Sequence, residues 1–254
     1  MDPASILLTD KIVVVTGAAR GIGRATAEMC TAFGATVATC DREAQDVNAA
    51  LSALFDVRDS DARDVFVEGV VKKFGGIDVL VNNAGGTFFS PFLDVSEKGD
   101  ATMIAENFGH ISALIRSVVP HMPAGGSIIN LTSIEAHQAA PGFAIYGAMK
   151  AALAHLTRTL ALELAPLGIR VNAIAPDAIP TSGDHDVRAA MLAAGGAYDP
   201  AVVPPLGFMG DADDAASAAV FLASSMARFV TGTTVHVDGG NWAAGGWRRI
   251  EDPD

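Results

Sequence analysis

Thr16-Gly17-Ala18-Ala19-Arg20-Gly21-Ile22-Gly23 follows directly on the β-branched run Ile12-Val13-Val14-Val15 and opens a stretch of helical periodicity over residues 22–33. Its glycines are spaced G-x-x-x-G-x-G, not G-x-G-x-x-G as in most dinucleotide folds. Glycine lets the backbone turn sharply and lets a ligand approach it closely. The turn also aims the unpaired N–H groups and positive end of a helix at one point, which suits a phosphate or pyrophosphate. Gly-rich strand–helix turns also arise for purely steric reasons. The position right after the first strand favours phosphate binding by Gly17, Arg20, Gly21, Ile22 and Gly23.

Outward from this turn, strand and helix signals alternate to the end of the chain. Strands are predicted at residues 12–15, 35–40, 51–55, 77–81, 127–131, 170–174 and 233–237. Helices are predicted at 22–33, 61–74, 98–119, 146–164 and 211–224, with a short one between the second and third strands. Such alternation means βαβ units, hence an α/β fold with a doubly wound parallel sheet flanked by helices. Residues 1–254 read as a single domain with its core at 11–240. The segment 176–205, with one helix expected near 185–194, is too long for an idle loop and reads as a lid or substrate loop. Residues 241–254, which include Trp242, Trp247, Arg248 and Arg249, read as a C-terminal arm.

Composition narrows the partners. Half of the 254 residues are hydrophobic and 18% are charged, enough for a large core. The net charge of −12 repels phosphate backbones and anionic lipid heads, so neither nucleic acid nor a membrane surface is expected as a partner. A small anionic cofactor remains compatible, because backbone N–H groups bind phosphate whatever the net charge. Cys30 and Cys40 lack ligand-cluster spacing and read as small buried apolar residues. No metal site is expected. The N-terminal apolar run Ile6-Leu7-Leu8 is too short for a signal peptide, so the expected location is cytoplasmic.

Asp41 ends the second strand, where a carboxylate meets the adenosine ribose 2′-hydroxyl and repels a 2′-phosphate. That favours NAD over NADP without excluding NADP, because Arg20 and Arg42 stand close enough in sequence to reach a phosphate. Both arginines can equally be solvated. Tyr146 and Lys150 lie four residues apart on a predicted helix and so share a face. That spacing alone is common. Ser133 adds weight, since it follows the strand at 127–131 at the carboxyl edge of the sheet, where α/β proteins bind ligands.

Together the turn, Asn82-Asn83-Ala84-Gly85, Asn107, Ser133, Tyr146 and Lys150 resemble the short-chain dehydrogenase/reductase (SDR) family in order and spacing, over about residues 11–240. The resemblance implies a Rossmann-type single-domain fold and hydride transfer between nicotinamide and a secondary alcohol or ketone. It implies a catalytic set of Asn107, Ser133, Tyr146 and Lys150. Tyr146 would be the general acid/base. A phenol ionises near pH ~10, and an ammonium at roughly 4 Å would favour the phenolate by about 4 kcal/mol at an effective dielectric near 20. Lys150 would also hold the nicotinamide ribose, Ser133 the substrate oxygen, and Asn107 a proton-relay water. Taken alone, Asn107 reads as a solvent-facing residue. Cofactor contacts are implied for Asp56, Val57, Asn83, Ala84, Gly85, Pro176, Ile179 and Thr181 besides the turn and Asp41.

The chain departs from the family at Asp177, where Gly usually follows Pro176. Either the position tolerates Asp at positive φ, or the Asp177 carboxylate faces the substrate. Pocket candidates are Phe88, Phe89, Phe92, Ile134, Glu135, His137, Phe143, Ala178, Met191 and Leu192, mainly apolar. They suit a hydrophobic alcohol or ketone, cyclic ones included. His137 reads either as a group orienting a polar substituent or as an ordinary loop histidine. Helices apolar on more than one face, with the resemblance, imply a homotetramer. Two readings compete: an NADP-dependent 3-oxoacyl-acyl-carrier-protein ketoreductase, and a nicotinamide-binding sensor without chemistry.

Overall fold

The computed structural model describes residues 2–181 and 203–245. Seven parallel strands form one sheet in the order β3-β2-β1-β4-β5-β6-β7. The strands are β1 (Ile12–Thr16), β2 (Thr36–Asp41), β3 (Leu51–Leu54), β4 (Val79–Asn82), β5 (Ser127–Leu131), β6 (Arg170–Pro176) and β7 (Thr234–Val237). The chain winds from β1 outward to β3, then returns past β1 to β4. The carboxyl ends of β1 and β4 therefore form the switch point, where doubly wound sheets open a ligand crevice.

Strand alternation explains the two-sided core. On β1, Val14 packs with Phe66, Val70, Leu80, Ile111 and Leu153 on one face. Val13 and Val15 pack with Ala27, Cys30, Ile129 and Ala219 on the other. Successive side chains point to opposite faces, so a strand covered on both sides is a continuous apolar run. The helices α1 (Gly21–Ala32), α2 (Ser60–Phe74), α4 (His110–Val118), α5 (Ala144–Glu163) and α6 (Ala212–Ala223) supply the covering layers, with α3 (Glu97–Ile104) and α7 (Asn241–Ala244) toward the carboxyl edge. Caps fix several ends. Asp59 accepts from the Asp61 and Ala62 N–H groups at the start of α2, and Asp211 with Asp214 makes a capping box on α6. Cys30 and Cys40 are free and buried, and burial pushes the Cys30 thiol up to about 12.

Two sequence expectations are corrected. No helix joins β2 to β3: the Ala49 N–H bonds the Val47 carbonyl at 2.9 Å and the Ala50 N–H bonds the Val37 carbonyl at 2.8 Å, which ties the connection down as a loop. The helix expected at 98–119 is broken. A five-residue π-turn, Ala105–Gly109, separates α3 from α4. The helix expected near 185–194 lies outside the described residues. Among the described residues, no helix is long and apolar enough to cross a membrane.

Candidate active site at the switch point

The turn after β1 is built as a cradle. Gly17 and Gly21 sit at φ +71° and +56°, conformations that disfavour side chains. A Cβ on Gly17 would meet the Ala84 Cα at 2.8 Å. A Cβ on Gly23 would collide with the Gly17 carbonyl and Asn83 Nδ2. Asn83 donates from Nδ2 to the Thr16 and Gly17 carbonyls at 2.9 and 3.0 Å, and its own N–H bonds Thr16 Oγ1. Asn83 thus clamps the end of β4 to the end of β1. Arg20, at the N-cap of α1, makes no side-chain cap, so the first-turn N–H groups of this twelve-residue helix have no such partner. A pyrophosphate fits them and the helix dipole. Thr181 lies over the turn: a Cβ on Gly21 would touch its Cγ2 at 3.4 Å.

Asp41 stands beside the turn. Its Oδ2 accepts the Ala19 N–H at 2.8 Å and its Oδ1 the Glu43 N–H at 2.9 Å. The two nearby guanidinium groups are engaged by carboxylates, Arg20 by Glu43 at 3.3 Å and Arg42 by Glu106 at 3.0 Å. Asp56 accepts from Arg58 Nε at 2.9 Å, which lowers its pKa to about 2. Val57 is buried, and its carbonyl accepts from Arg63.

On the other side of the switch point, the π-turn brings Asn107 inward. Asn107 is fully buried, which overturns the solvent-facing reading. Its Nδ2 donates to the Gly86 carbonyl at 2.8 Å and to the Met103 carbonyl at 3.1 Å. Gly85 is the meeting point: a Cβ there would lie 2.9 Å from Asn107 Oδ1 and 3.5 Å from Lys150 Nζ. Lys150 is buried on α5 and donates to the Leu131 carbonyl at 2.9 Å. Its Nζ lies 5.5 Å from the Tyr146 ring centroid. Burial lowers the Lys150 pKa to about 8, with Glu135 opposing the shift. Ser133, two residues past the end of β5, is buried and bonded to Glu135 Oε2. So Asn107, Ser133 and the Tyr146–Lys150 pair converge beside the glycine turn.

Several supports are invisible in the sequence. Asn82 Nδ2 donates to Asn130 Oδ1 at 2.8 Å, and Asn130 Nδ2 to Thr157 Oγ1 at 2.9 Å, tying β4 and β5 to α5. His110 Nε2 lies 3.2 Å from the Ala84 carbonyl and 3.0 Å from that of Glu106. It is buried and its pKa is lowered to about 4, so the ring is neutral and Nε2 donates to both. An Asn or His inside an apolar pattern gives a sign of such a network, but not its partner.

The substrate side differs from expectation at four residues. Asp177 does not take positive φ; Ala178 does, at +54°. The Asp177 carboxylate accepts from Asn241 Nδ2 at 2.8 Å, anchoring α7. His137 is no isolated loop histidine, since its ring centroid lies 4.8 Å from that of His236 and 5.4 Å from that of Trp242. Ile134 is fully buried core. Phe143 packs edge-on to Phe89 at 5.7 Å, whereas Phe92 is exposed. Pro176 ends β6 opposite Val237, and Ile179 is buried. Met191, Leu192, Trp247, Arg248 and Arg249 lie outside the described residues.

A seven-stranded parallel Rossmann-type sheet, with a glycine turn and a Ser–Tyr–Lys constellation at its switch point, defines a nicotinamide-dependent oxidoreductase class. Residues 17–241 match the family model described as enoyl-(acyl carrier protein) reductase. The chain is 38% identical to 3beta-hydroxysteroid dehydrogenase 1 of Eggerthella lenta, covering 92% of this chain and 94% of that protein. It is 36% identical to L-rhamnose 1-dehydrogenase (NAD(P)(+)) of Azotobacter vinelandii, covering 92% and 98%. Its fold matches a 7 alpha-hydroxysteroid dehydrogenase, solved with NADH and 7-oxo glycochenodeoxycholic acid, at a TM-score of 0.85 and 30% identity over 94% and 97% of the chains. The chain belongs to the short-chain dehydrogenase/reductase family, whose members act on CH–OH groups or the corresponding carbonyls with a nicotinamide cofactor.

Proposed function

We propose that this protein is an NAD-dependent dehydrogenase of a hydrophobic, cyclic secondary alcohol, working reversibly on the matching ketone. The observation that carries the reading is the convergence of Ser133, Tyr146 and Lys150 beside the N-terminus of α1, which the Arg20 side chain does not cap. Bound there, nicotinamide supplies the hydride acceptor for oxidation and the donor for reduction. Gly17, Arg20, Gly21, Ile22 and Gly23 hold the pyrophosphate. Asp41 takes the adenosine ribose, Asp56 and Val57 the adenine side, and Ala84, Gly85, Pro176, Ile179 and Thr181 the nicotinamide half. The residues of the chain manage position and protons. Tyr146 takes the hydroxyl proton in oxidation and returns it in reduction. Lys150, with a pKa of about 8, stays mostly protonated at neutral pH and favours the phenolate. Ser133 holds the substrate oxygen, and Asn107 fixes the wall behind Lys150.

NAD is favoured because Asp41 projects a carboxylate beside the turn while Arg20 and Arg42 are already paired with glutamates. Apolar walls at Phe89, Phe143 and Ile179 favour a hydrophobic substrate. The acyl-carrier-protein ketoreductase reading draws on the family model's description, but a chain of net charge −12 is a poor dock for an acidic carrier. Exposed apolar side chains at Leu162 on α5 and at Phe229 favour a homotetramer, and the free buried thiols favour the cytoplasm.

The test is a panel of cyclohexanol, 1-phenylethanol, a 3-hydroxysteroid, L-rhamnose and a 3-hydroxyacyl thioester, each with NAD⁺ and NADP⁺, with Tyr146→Phe as the blank. Turnover of a hydrophobic alcohol with NAD⁺, abolished in the variant, is expected. Thioester turnover with NADP⁺ would replace this reading with the ketoreductase. Full activity in Tyr146→Phe would remove the tyrosine from its role.

A further inference from the structure

Glu135 stands two residues after Ser133, in the 3₁₀ turn Ile134–Ala136 that follows β5. Its Oε2 is the hydrogen-bond partner of Ser133 Oγ. A serine hydroxyl carries one proton and two lone pairs, and an ionised carboxylate only accepts. When Glu135 is ionised, the Ser133 proton is committed to the carboxylate, and Ser133 turns a lone pair toward whatever lies beside it. When Glu135 is protonated, its own O–H donates to Ser133 Oγ and the serine proton is released.

We infer that Glu135 is a positioning residue for the reaction: through its bond to Ser133 it sets whether the serine offers a proton or a lone pair to the substrate oxygen. This rests on Ser133 as the group that holds that oxygen. A ketone oxygen has only lone pairs, so reduction needs the serine proton. An alkoxide-like transition state needs it still more, and loss of one such donor costs roughly 10²- to 10³-fold in rate.

The surroundings bring this carboxyl within reach of titration. From α5 the Lys150 ammonium favours the ionised form, with Tyr146 one turn before it on the same helix. Past β6 the Asp177 carboxylate disfavours the ionised form. His137, in the same loop, lies against His236 and Trp242. Burial is the largest influence and raises the Glu135 pKa above the usual carboxylate range. The protonated, proton-releasing form is the one active in reduction, so reductive kcat/KM falls as pH rises through this ionisation.

Two measurements test it. The first is the pH profile of kcat/KM for NADH-dependent reduction, using the ketone of whichever panel alcohol is turned over, in the wild type and Glu135→Gln. The Gln side chain does not ionise, so the limb caused by Glu135 should vanish. One unit above that ionisation the wild type should have fallen about tenfold from its plateau, and the variant not at all from its own. Superimposable normalised profiles overturn the inference. The second needs no turnover: infrared titration of the Glu135 carboxyl band, assigned by its loss in Glu135→Gln. The Ser133 bond favours the ionised carboxylate, so Ser133→Ala should move the ionisation to higher pH. An unmoved midpoint overturns the coupling. Undiminished turnover in Ser133→Ala would instead overturn the serine reading on which the inference stands, and the inference with it.

Discussion

Asn107 and Gly86 are joined twice: Asn107 Nδ2 donates to the Gly86 carbonyl at 2.8 Å, and the Gly86 N–H reaches Asn107 Oδ1 at 3.4 Å. The pairing stitches the segment after β4 to the π-turn between α3 and α4. It also explains why the helix breaks there. A buried amide needs partners for its donors and acceptor, and the widened turn lets this one reach across instead of facing the groove between helical turns. The same side chain forms the wall at Gly85 toward which Lys150 points.

Replacing Asn107 with Ala leaves the half-buried carbonyl of Gly86 without this donor and deprives that of the buried Met103 of its side-chain bond. Each buried polar group left unpaired costs about 1–3 kcal/mol. The expected drop in Tm is roughly 5–10 °C, given about 2–4 °C per kcal/mol for a domain of this size. Because the wall behind Lys150 shifts, kcat should fall at least about tenfold, with cofactor affinity changed far less. Calorimetry and steady-state kinetics check the two halves separately. A variant with wild-type Tm would show that the amide bonds contribute nothing net.

The glycines divide into those with and without room for a side chain. A Cβ on Gly23 collides with the Gly17 carbonyl and Asn83 Nδ2, whereas one on Gly69, in α2, meets nothing within 4 Å. Gly23→Ala should therefore distort the phosphate turn and weaken dinucleotide binding by more than about 100-fold, since the N–H groups lose their common aim. Gly69→Ala should raise stability by about 0.5–1 kcal/mol through helix propensity alone. Isothermal titration with NADH and urea denaturation of both variants test the contrast. Equal effects would mean that the turn tolerates a methyl group.

How much of this was legible in the sequence follows from how far apart the interacting residues lie. The glycine turn and the Tyr146–Lys150 pair are local patterns, and local spacing maps directly onto one turn or one helix face. The parallel, doubly wound sheet follows from the alternation of strands and helices, whereas the strand order comes from the structure. The His137–His236–Trp242 cluster and the Asp177–Asn241 bond join residues far apart in the chain, and no periodicity marks them. The loop between β2 and β3 misled for the opposite reason: alternation suggested a helix where the backbone bonds of Ala49 and Ala50 close a loop.

Asp41 has two tasks that can be separated. Its Oδ2 pins the Ala19 N–H and so shapes the turn, while on the proposed reading its charge is what would repel a 2′-phosphate. Asp41→Asn keeps an acceptor for Ala19 but removes the charge. It should mainly relax discrimination, lowering the NAD/NADP ratio of kcat/KM by about tenfold or more. Asp41→Ala should also weaken NAD binding by about 10- to 100-fold, the loss of a charge-assisted hydrogen bond or two. Steady-state kinetics with NAD⁺ and NADP⁺ read the ratio, and fluorescence titration with NADH reads the affinity. An unchanged cofactor ratio in either variant would remove Asp41 from cofactor choice.

Lys150 carries a stability debt that depends on pH. Burial lowers its pKa from 10.5 to about 8, so at neutral pH the folded chain holds a charge it would rather hold in water. Between about pH 8 and 10.5 the unfolded chain keeps the proton that the folded chain has released. Stability attributable to this group therefore rises with pH across that window. The full effect is about 3 kcal/mol. Lys150→Met removes the titration along with the turnover, at the expense of the bond to the Leu131 carbonyl. The difference in unfolding free energy, variant minus wild type, should be largest below pH about 8 and shrink by about 2–3 kcal/mol by pH about 10.5. Taking the difference cancels groups that do not interact with Lys150, including the buried thiols. Urea midpoints of the two proteins at both ends of the window give the answer. A gap independent of pH would mean that Lys150 keeps an ordinary ammonium pKa in the fold, and that its influence on Tyr146 comes from a fully charged group across the entire working range.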